Sequence, residues 1–133
     1  LVHLSDFSGK KLILFFYPKD NTPGCTTEAC NFRDNYESLT AEGFEVVGVS
    51  VDGESSHRRF SSKHNLPYTL LVDEDKKMVE DYKVWVEKSM FGKKYMGTAR
   101  KTFIIDENGI ILHIIDKVKT KEASEQVRAL FQK

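Results

Sequence analysis

The two cysteines of this 133-residue chain stand five positions apart, in the segment Cys25-Thr-Thr-Glu-Ala-Cys30. Cys25 follows an apolar segment and the pair Pro23-Gly24, which places it in the first turn of an expected helix. Free backbone N–H groups and the positive end of the helix dipole stabilise an anion such as a thiolate there. Because the thiolate is the nucleophilic form of cysteine, Cys25 is suited to nucleophilic chemistry. The alternative is a small buried residue, a common role of free cysteines.

The five-residue spacing limits what the two thiols can do together. Five helical steps rise about 7.5 Å, which exceeds the roughly 7 Å that a disulfide allows between Cα atoms. Cys25 and Cys30 therefore cannot form a disulfide while the helix is intact, but they can once its first turn or two unwinds. This spacing favours a redox switch coupled to local unfolding over a structural disulfide. Two unrelated cysteines on one helix remain the alternative.

Other chemistries have less support in the residue pattern. His57 and His64 stand seven residues apart, His3 and His113 are isolated, and none has zinc-like spacing with the cysteines. The sequence contains no glycine-rich phosphate-binding loop. We therefore expect neither a metal nor an organic cofactor.

The elements that position Cys25 follow from hydrophobic patterning and from breaker residues. We expect strands over residues 11–17, 44–51, 68–72, 102–106 and 110–116. We expect helices from residue 25 to about 41, from 53 to about 65, over 73–82 and over 121–132. An Asn108-Gly109 turn between the last two strands indicates a hairpin. Residues 84–97 are expected to form a loop or an irregular segment.

The resulting order, β-α-β-α-β-α-β-β-α, predicts an α/β fold with a central mixed sheet flanked by helices. The closing ββα unit, with a reactive cysteine after the first βα turn, is the plan of a thioredoxin-like fold. The length fits one domain over residues 1–133.

Composition and charge exclude several function classes. The chain has 20 Lys and Arg against 20 Asp and Glu, whereas a nucleic-acid binder normally carries a basic excess. No apolar run approaches the roughly 20 residues of a membrane span, and no signal-peptide pattern is visible. We therefore expect a cytoplasmic protein that binds neither nucleic acid nor membrane. Because the chain starts at Leu1 without an initiator Met, we also expect residues to precede it.

One segment resembles a known family. Residues 16–30 contain the pattern Pro-x-x-x-Thr-x-x-Cys, at Pro18, Thr22 and Cys25, and resemble the active site of the peroxiredoxins. A second cysteine five positions on is similar to the Q-type, or bacterioferritin-comigratory-protein, subfamily. The resemblance extends over nearly the whole chain, through residues 31–34, 44–50, 65–71, 95–97 and 100–106. The family carries further strands ahead of the position of Leu1, and we expect those strands to be missing here.

The resemblance implies a role for each residue of the motif. Cys25 resembles the peroxidatic cysteine, which attacks the O–O bond of a hydroperoxide and becomes a sulfenic acid. Cys30 resembles the resolving cysteine, which then forms an intramolecular disulfide. Thr22 is expected to donate to the thiolate or the peroxide, with a helix N-cap as its other role. Pro18 is expected to shield Cys25 from water, or only to end the strand.

Two charged residues complete the implied site. Arg100 opens a strand that a thioredoxin-like sheet brings beside Cys25, where a guanidinium would favour the thiolate and orient peroxide. Its alternative is one more surface cation. Glu28, one turn after Cys25, either holds Arg100 through a bidentate ion pair or lies in solvent. Four further side chains either form an apolar rim for alkyl hydroperoxides or a reductant, or pack in the core or within a loop: Trp85, Met90, Phe91 and Tyr95.

The resemblance implies an antioxidant thiol peroxidase that reduces hydrogen peroxide and organic hydroperoxides without metal, haem or flavin. Thioredoxin or a similar dithiol protein would reduce the Cys25–Cys30 disulfide, and the intramolecular type implies a monomer. One rival is a disulfide reductase or isomerase, although those enzymes use Cys-x-x-Cys. The other is a thioredoxin-fold binding module with passive cysteines. Parallel assays of peroxide consumption and insulin reduction separate the first rival, and thiol titration separates the second.

Overall fold

The apolar run that ends before Pro18 forms the central strand of the sheet, β1 (Lys11–Phe16), in a computed structural model that describes residues 4–131. β1 pairs in parallel with β2 (Phe44–Ser50), which pairs in parallel with β3 (Thr69–Val72). These strands are short, apolar runs of the kind that parallel pairing buries on both faces.

Helices connect these strands and follow them. They are α1 (Pro23–Asp34), α2 (Tyr36–Ala41), α3 (Glu54–His64), α4 (Lys77–Asp81) and α5 (Ala123–Ala129), with short 3-10 helices at Leu4–Phe7 and Thr120–Glu122. The expected last helix begins as one of these 3-10 turns, and its expected end at Gln132 lies outside the described residues. Within residues 4–131, no helix has the length and apolar character needed to cross a bilayer.

The two strands that close the fold, β6 and β7, are antiparallel. β6 (Lys101–Ile105) pairs with β1 on one side and with β7 (Ile111–Ile115) on the other, so the sheet order is β3-β2-β1-β6-β7. The expected hairpin turn is present, because Gly109 has φ +84° and the amide of Asp106 donates to the carbonyl of Ile110 at 2.8 Å. The sheet is therefore mixed, as the sequence predicts.

Alternation along β1 divides the core into two layers. Ile13, Phe15 and the following Tyr17 point into a layer that contains residues of α1, α2, α3 and α5. Leu14 and Phe16 point into the opposite layer, which contains residues of and after α4. Both faces of the central strand β1 are therefore covered, and Cys25 belongs to the first layer.

The helix expected from residue 25 to about 41 is interrupted at Asn35, which has φ −107° and ψ 4°. The Asn35 side chain donates to the carbonyl of Asn31 at 2.8 Å, and the backbone N–H of Asn35 donates to the same carbonyl at 3.2 Å. Local side-chain bonds of this kind compete with helix continuation. The cysteines lie in the part before the break.

The expected loop over residues 84–97 is wrong. These residues form a separate antiparallel hairpin, β4 (Trp85–Met90) and β5 (Lys93–Thr98). Phe91 and Gly92 both have positive φ, 53° and 77°, as a two-residue type I′ turn requires. The sequence conceals this turn because a phenylalanine occupies the position that Asn or Asp usually takes. Both strands also mix charged and apolar residues without a clear alternation.

Candidate active site

The nucleophile candidate lies where the sequence places it, in the first turn of α1. Thr22 is the N-cap residue with extended backbone (φ −93°, ψ 153°), and Pro23 opens the helix. Cys25 is 1% exposed, whereas Cys30 is partly exposed, and both thiols are free. The unbroken helix between them keeps the two cysteines apart in this state.

The spacing of buried residues on α1 explains the different exposure of the cysteines. The buried residues are Cys25, Glu28, Ala29 and Phe32, which follow the i, i+3, i+4, i+7 pattern of one helix face. Cys30 lies off this face. The helix therefore turns Cys25 and Glu28 toward the sheet and leaves Cys30 nearer the surface.

Arg100 reaches this face from the neighbouring strand. It directly precedes β6, whose first residue Lys101 pairs with Phe16 at the end of β1. This register places Arg100 beside the loop that begins α1. Its Nη2 donates to Cys25 Sγ at 3.3 Å and its Nη1 donates to Glu28 Oε1 at 2.8 Å. The alternative of an unattached surface cation is wrong for Arg100.

Glu28 is fully buried, so its solvated alternative is also wrong. The expected bidentate pair is not formed either, because Arg100 uses one nitrogen for Glu28 and the other for Cys25. Among the described residues, Glu28 Oε2 has no hydrogen-bond partner. Burial raises the pKa of Glu28 to about 7, although the charge and hydrogen bond of Arg100 act against this rise.

Gly24 makes room for the guanidinium. A Cβ atom at this position would lie 3.1 Å from Arg100 Nη2, which is tighter than an ordinary contact. The residue before Cys25 is thus small because the Arg100 side chain passes over it.

Thr22 uses its hydroxyl differently from the expectation. The hydroxyl donates to the carbonyl of Lys19 at 2.7 Å, so its proton is directed away from Cys25. Thr22 caps α1 through its backbone carbonyl, which accepts from the amide of Thr26 at 2.8 Å, and its side chain makes no cap bond. The lone pairs of the hydroxyl remain free to accept a hydrogen bond from a hydroperoxide.

A cleft of about 260 Å³ adjoins this loop. It is lined by Pro18, Lys19, Val51, Trp85, Lys88, Tyr95, Met96, Gly97 and Thr98. Two members of the expected apolar rim, Trp85 and Tyr95, are therefore in place. Met90 and Phe91 instead lie at the hairpin end, where Phe91 is 98% exposed.

The hairpin supplies two side chains that the sequence interpretation missed. Lys88 lies near enough to Arg100 and Cys25 for both charges to affect its pKa. Burial and Arg100 lower the pKa of Lys88, and the Cys25 thiolate acts in the opposite direction. Thr98 is buried, and within residues 4–131 its hydroxyl has no partner. The hairpin register would have indicated both, because it pairs Trp85 with Thr98 and Lys88 with Tyr95.

The arrangement suits nucleophilic attack by sulfur. A thiolate at Cys25 receives a charge-assisted hydrogen bond from Arg100 and the field of the α1 N-terminus. Within the described part of the chain, no three His, Cys, Asp or Glu side chains gather closely enough to hold a metal ion.

Comparison with known families and sequences agrees with this chemistry. The model of the AhpC/TSA family matches residues 1–114. The chain is 51% identical over 121 residues to peroxiredoxin Bcp of Bacillus subtilis, covering 91% of this chain and 77% of that protein. It is 44% identical over 126 residues to peroxiredoxin Bcp of Escherichia coli, covering 95% of this chain and 81% of that protein.

Solved structures show the same fold. A cysteine-to-serine mutant of Xanthomonas campestris peroxiredoxin Q superposes with a TM-score of 0.91 at 35% identity, over 98% of this chain and 83% of that one. A Xylella fastidiosa PrxQ mutant superposes with a TM-score of 0.92 at 33% identity, over 98% of this chain and 80% of that one. The thioredoxin-like fold is thereby confirmed. The chain belongs to the AhpC/TSA family, as a peroxiredoxin of the Q, or bacterioferritin-comigratory-protein, type.

Proposed function

We propose that this thiol peroxidase reduces hydroperoxides through Cys25. The thiolate attacks the terminal peroxide oxygen, so that an S–O bond forms as the O–O bond breaks. The leaving alkoxide or hydroxide takes a proton and departs as alcohol or water, and Cys25 is left as a sulfenic acid. The observation that supports this most strongly is the 3.3 Å contact between Arg100 Nη2 and Cys25 Sγ.

The neighbouring residues have distinct roles in this proposal. Arg100 stabilises the thiolate and the negative charge that develops on the leaving oxygen. Glu28 holds the guanidinium from its other nitrogen. Thr22 accepts the hydroperoxide O–H, since its own proton is directed at Lys19. Pro18 lines the cleft and limits the access of water to the sulfur.

Cys30 completes the oxidative half of the cycle. Its thiol condenses with the Cys25 sulfenic acid, which forms the S–S bond and releases water. Because α1 separates the two residues, this step requires the first turns of the helix to unwind. The sulfenic acid is neutral, so oxidation removes the charge that the helix N-terminus stabilised.

A dithiol protein such as thioredoxin returns both cysteines to thiols, and is itself oxidised to a disulfide. Alkyl hydroperoxides are proposed as substrates beside hydrogen peroxide, because Trp85, Tyr95 and Met96 give the cleft an apolar wall. A solved Xanthomonas campestris relative is described in terms of alkyl peroxide reduction activity.

A coupled assay tests the proposed function. Purified protein, thioredoxin and thioredoxin reductase are mixed with hydrogen peroxide or an alkyl hydroperoxide, and peroxide loss is followed. The parallel insulin-reduction assay contains the protein and a small dithiol but no thioredoxin, because thioredoxin itself reduces insulin. Peroxide consumption with negligible insulin reduction is expected. Insulin reduction without peroxide loss would indicate a disulfide reductase instead.

The monomeric state, the single domain and the cytoplasmic location stay predictions. Light scattering after size exclusion tests the first, with a mass near 15.3 kDa expected for a monomer. Limited proteolysis tests the second, because one domain should resist cleavage between its elements.

A further inference from the structure

A buried polar cluster holds the loop that leads to α1. None of its side chains takes part in the proposed reaction of Cys25. Its centre is Asp20, whose carboxylate accepts three hydrogen bonds. The Tyr17 hydroxyl donates to Oδ1 at 2.6 Å, and the Ser56 hydroxyl and His57 Nδ1 lie 2.7 Å from Oδ2. Three donors on one buried carboxylate indicate the ionised form.

The backbone of the loop is attached at the same point. The amide of Asp20 donates to Asp52 Oδ2 at 2.8 Å, and the same oxygen accepts from the Ser50 hydroxyl at 2.8 Å. Ser50 ends β2, and Asp52 lies in the connection from β2 to α3. Asp20 therefore joins residues 17–22 to the end of the neighbouring strand.

His57 contacts an acceptor on each side of its ring. Nδ1 faces Asp20 Oδ2 at 2.7 Å, and Nε2 faces the carbonyl oxygen of Leu71 on β3 at 2.9 Å. A neutral imidazole has one N–H, so it can satisfy only one of these oxygens. Both contacts are hydrogen bonds only when the ring is a protonated imidazolium. His57 is 4% exposed, which leaves little solvent to compensate a lost bond.

The charges around the ring favour this form. Burial lowers the pKa of His57, but the hydrogen bond and charge of Asp20, the Leu71 carbonyl and Asp52 together raise it above its ordinary value. Burial raises the pKa of the Asp20 carboxyl, yet the hydrogen bonds from His57 and from the neighbouring hydroxyls lower this pKa below its ordinary value.

The other titratable groups near the ring do not change this balance. Tyr17 stays neutral, because burial and then the charge of Asp20 raise its pKa far above the usual range. Glu54 and Arg58 line the groove beside His57 on α3 and form an ion pair with each other.

We propose that His57, as an imidazolium paired with Asp20, is a positioning residue for peroxide reduction. The pair fixes residues 17–22 and so holds Pro18 and Thr22 in place relative to Cys25. This role rests on the proposed function, and His57 itself contacts neither a thiol nor the peroxide. When the ring loses its second proton at higher pH, the positive charge that attracts the Asp20 carboxylate is lost together with one of the two ring bonds, and the loop is held less firmly. Oxidation of Cys25 then slows.

Two measurements test this role. Stopped-flow fluorescence of the single tryptophan, Trp85, gives the second-order rate constant of oxidation by hydrogen peroxide between pH 5.5 and 9.5. The variants are His57→Gln and Asp20→Asn, with His64→Gln on the same helix as the matched control. Nitrogen-15 NMR of the wild-type imidazole rings gives the protonation state of His57 over the same range.

We expect both His57 ring nitrogens to carry protons at pH 7. The wild-type rate constant should fall on the alkaline side with the midpoint of the His57 titration. His57→Gln should lose this alkaline fall and react about 10-fold to 100-fold more slowly at pH 7, since small misplacements of reacting groups cost this much. Asp20→Asn should lower the pH at which His57 deprotonates, and His64→Gln should match the wild type.

A neutral His57 ring at pH 7, or an alkaline fall that persists in His57→Gln, would show that the pair has no positioning role. If His57→Gln does not fold, the wild-type midpoints decide, and a mismatch between kinetics and NMR overturns the proposal. Failure of the wild type to react with peroxide at any pH would refute the proposed function as well. A reactive wild type with an unchanged profile in His57→Gln refutes only the positioning role.

Discussion

Arg100 divides its guanidinium between a sulfur and a carboxylate, and this division sets the electrostatics of the site. A single nitrogen faces Cys25, and the other is occupied by the fully buried Glu28. The geometry of the guanidinium makes this possible, since its two terminal nitrogens donate in a fixed plane. A lysine at this position would provide one donor nitrogen in place of two.

Arg100→Ala should slow the oxidation of Cys25 by about 10²–10³-fold, the usual loss for one donor aimed at developing charge. Arg100→Lys should recover only part of the rate. Stopped-flow oxidation by hydrogen peroxide measures both, with Arg59→Ala on the exposed face of α3 as the control. Native rates in both Arg100 variants would show that the contact with Cys25 is structural.

Gly24→Ala tests whether the path of Arg100 matters. The new Cβ would lie 3.1 Å from Nη2, so the guanidinium must move by a few tenths of an ångström from its position beside Cys25. We expect a slower oxidation of Cys25 with little change in thermal stability, because the rest of α1 is unaffected. Gly43→Ala serves as a contrast: its Cβ would meet no atom within 4 Å, but its φ of +91° should make that variant less stable with an unchanged rate. An unchanged rate in Gly24→Ala would mean that Arg100 has room to adjust.

At the residue scale, the sequence predicts where Cys25 lies on its helix but not which side chains contact it. The position of Cys25 at the start of a helix follows from Pro18, Pro23 and Gly24 alone. The contact with Arg100 does not, because 75 residues separate the two and only the family resemblance brought them together. The sequence leaves Glu28 open between an ion pair with Arg100 and a solvated position, because a charged residue on a core face contradicts its usual surface preference.

At the scale of elements, α1 has two tasks that conflict. It must be helical to stabilise the Cys25 thiolate, and it must unwind for Cys25 to reach Cys30. Opening its first turn costs no side-chain cap bond from Thr22, but it breaks the contact between Arg100 and Cys25 and exposes the buried thiol. The break at Asn35 separates α1 from α2, so the unwinding need not extend into α2.

Amide hydrogen exchange over residues 25–33 should therefore differ between the redox states. In the reduced protein we expect protection, and in the disulfide form we expect its loss, at the cost of several backbone hydrogen bonds of about 0.5–1.5 kcal/mol each. Cys30→Ser, which should form the sulfenic acid but no intramolecular disulfide, serves as the control. Equal protection in both states, with the Cys25–Cys30 disulfide confirmed by mass spectrometry, would rule out the unwinding step.

The elements also explain which parts of the fold were predictable. Strands β1 and β2 are buried runs bounded by breakers, so their positions follow from the sequence, whereas their pairing is seen only in the structure. The β4–β5 hairpin was mistaken for a loop because its turn places Phe91 at positive φ and its strands are half exposed. Because that hairpin carries Lys88 and Thr98, the sequence does not predict these two residues of the cleft lining.

At the scale of the molecule, the site costs stability, and the cost depends on pH. Burial raises the folded pKa of Glu28 to about 7, above its value of 4.5 in an unfolded chain. Between these values the folded state keeps the Glu28 proton and the unfolded state releases it. The free energy of unfolding therefore falls as the pH rises from about 4.5 to 7.

Glu28→Gln should remove this fall while keeping an oxygen that accepts from Arg100. Chemical denaturation of the wild type and the variant between pH 4.5 and 8 measures the difference. We expect the variant to gain on the order of 2–3 kcal/mol relative to the wild type across this range. Parallel curves for the two proteins would show that Glu28 ionises as easily in the folded state as in the unfolded chain.

The central claim is that Cys25 is the nucleophile that reduces the hydroperoxide. The most direct test is to mix Cys30→Ser protein with one equivalent of hydrogen peroxide, trap the product with dimedone, and locate the adduct by mass spectrometry. The account predicts a single adduct on Cys25, with rapid peroxide loss, and neither in a Cys25→Ser variant that still folds. Peroxide loss at the native rate in Cys25→Ser would contradict the account.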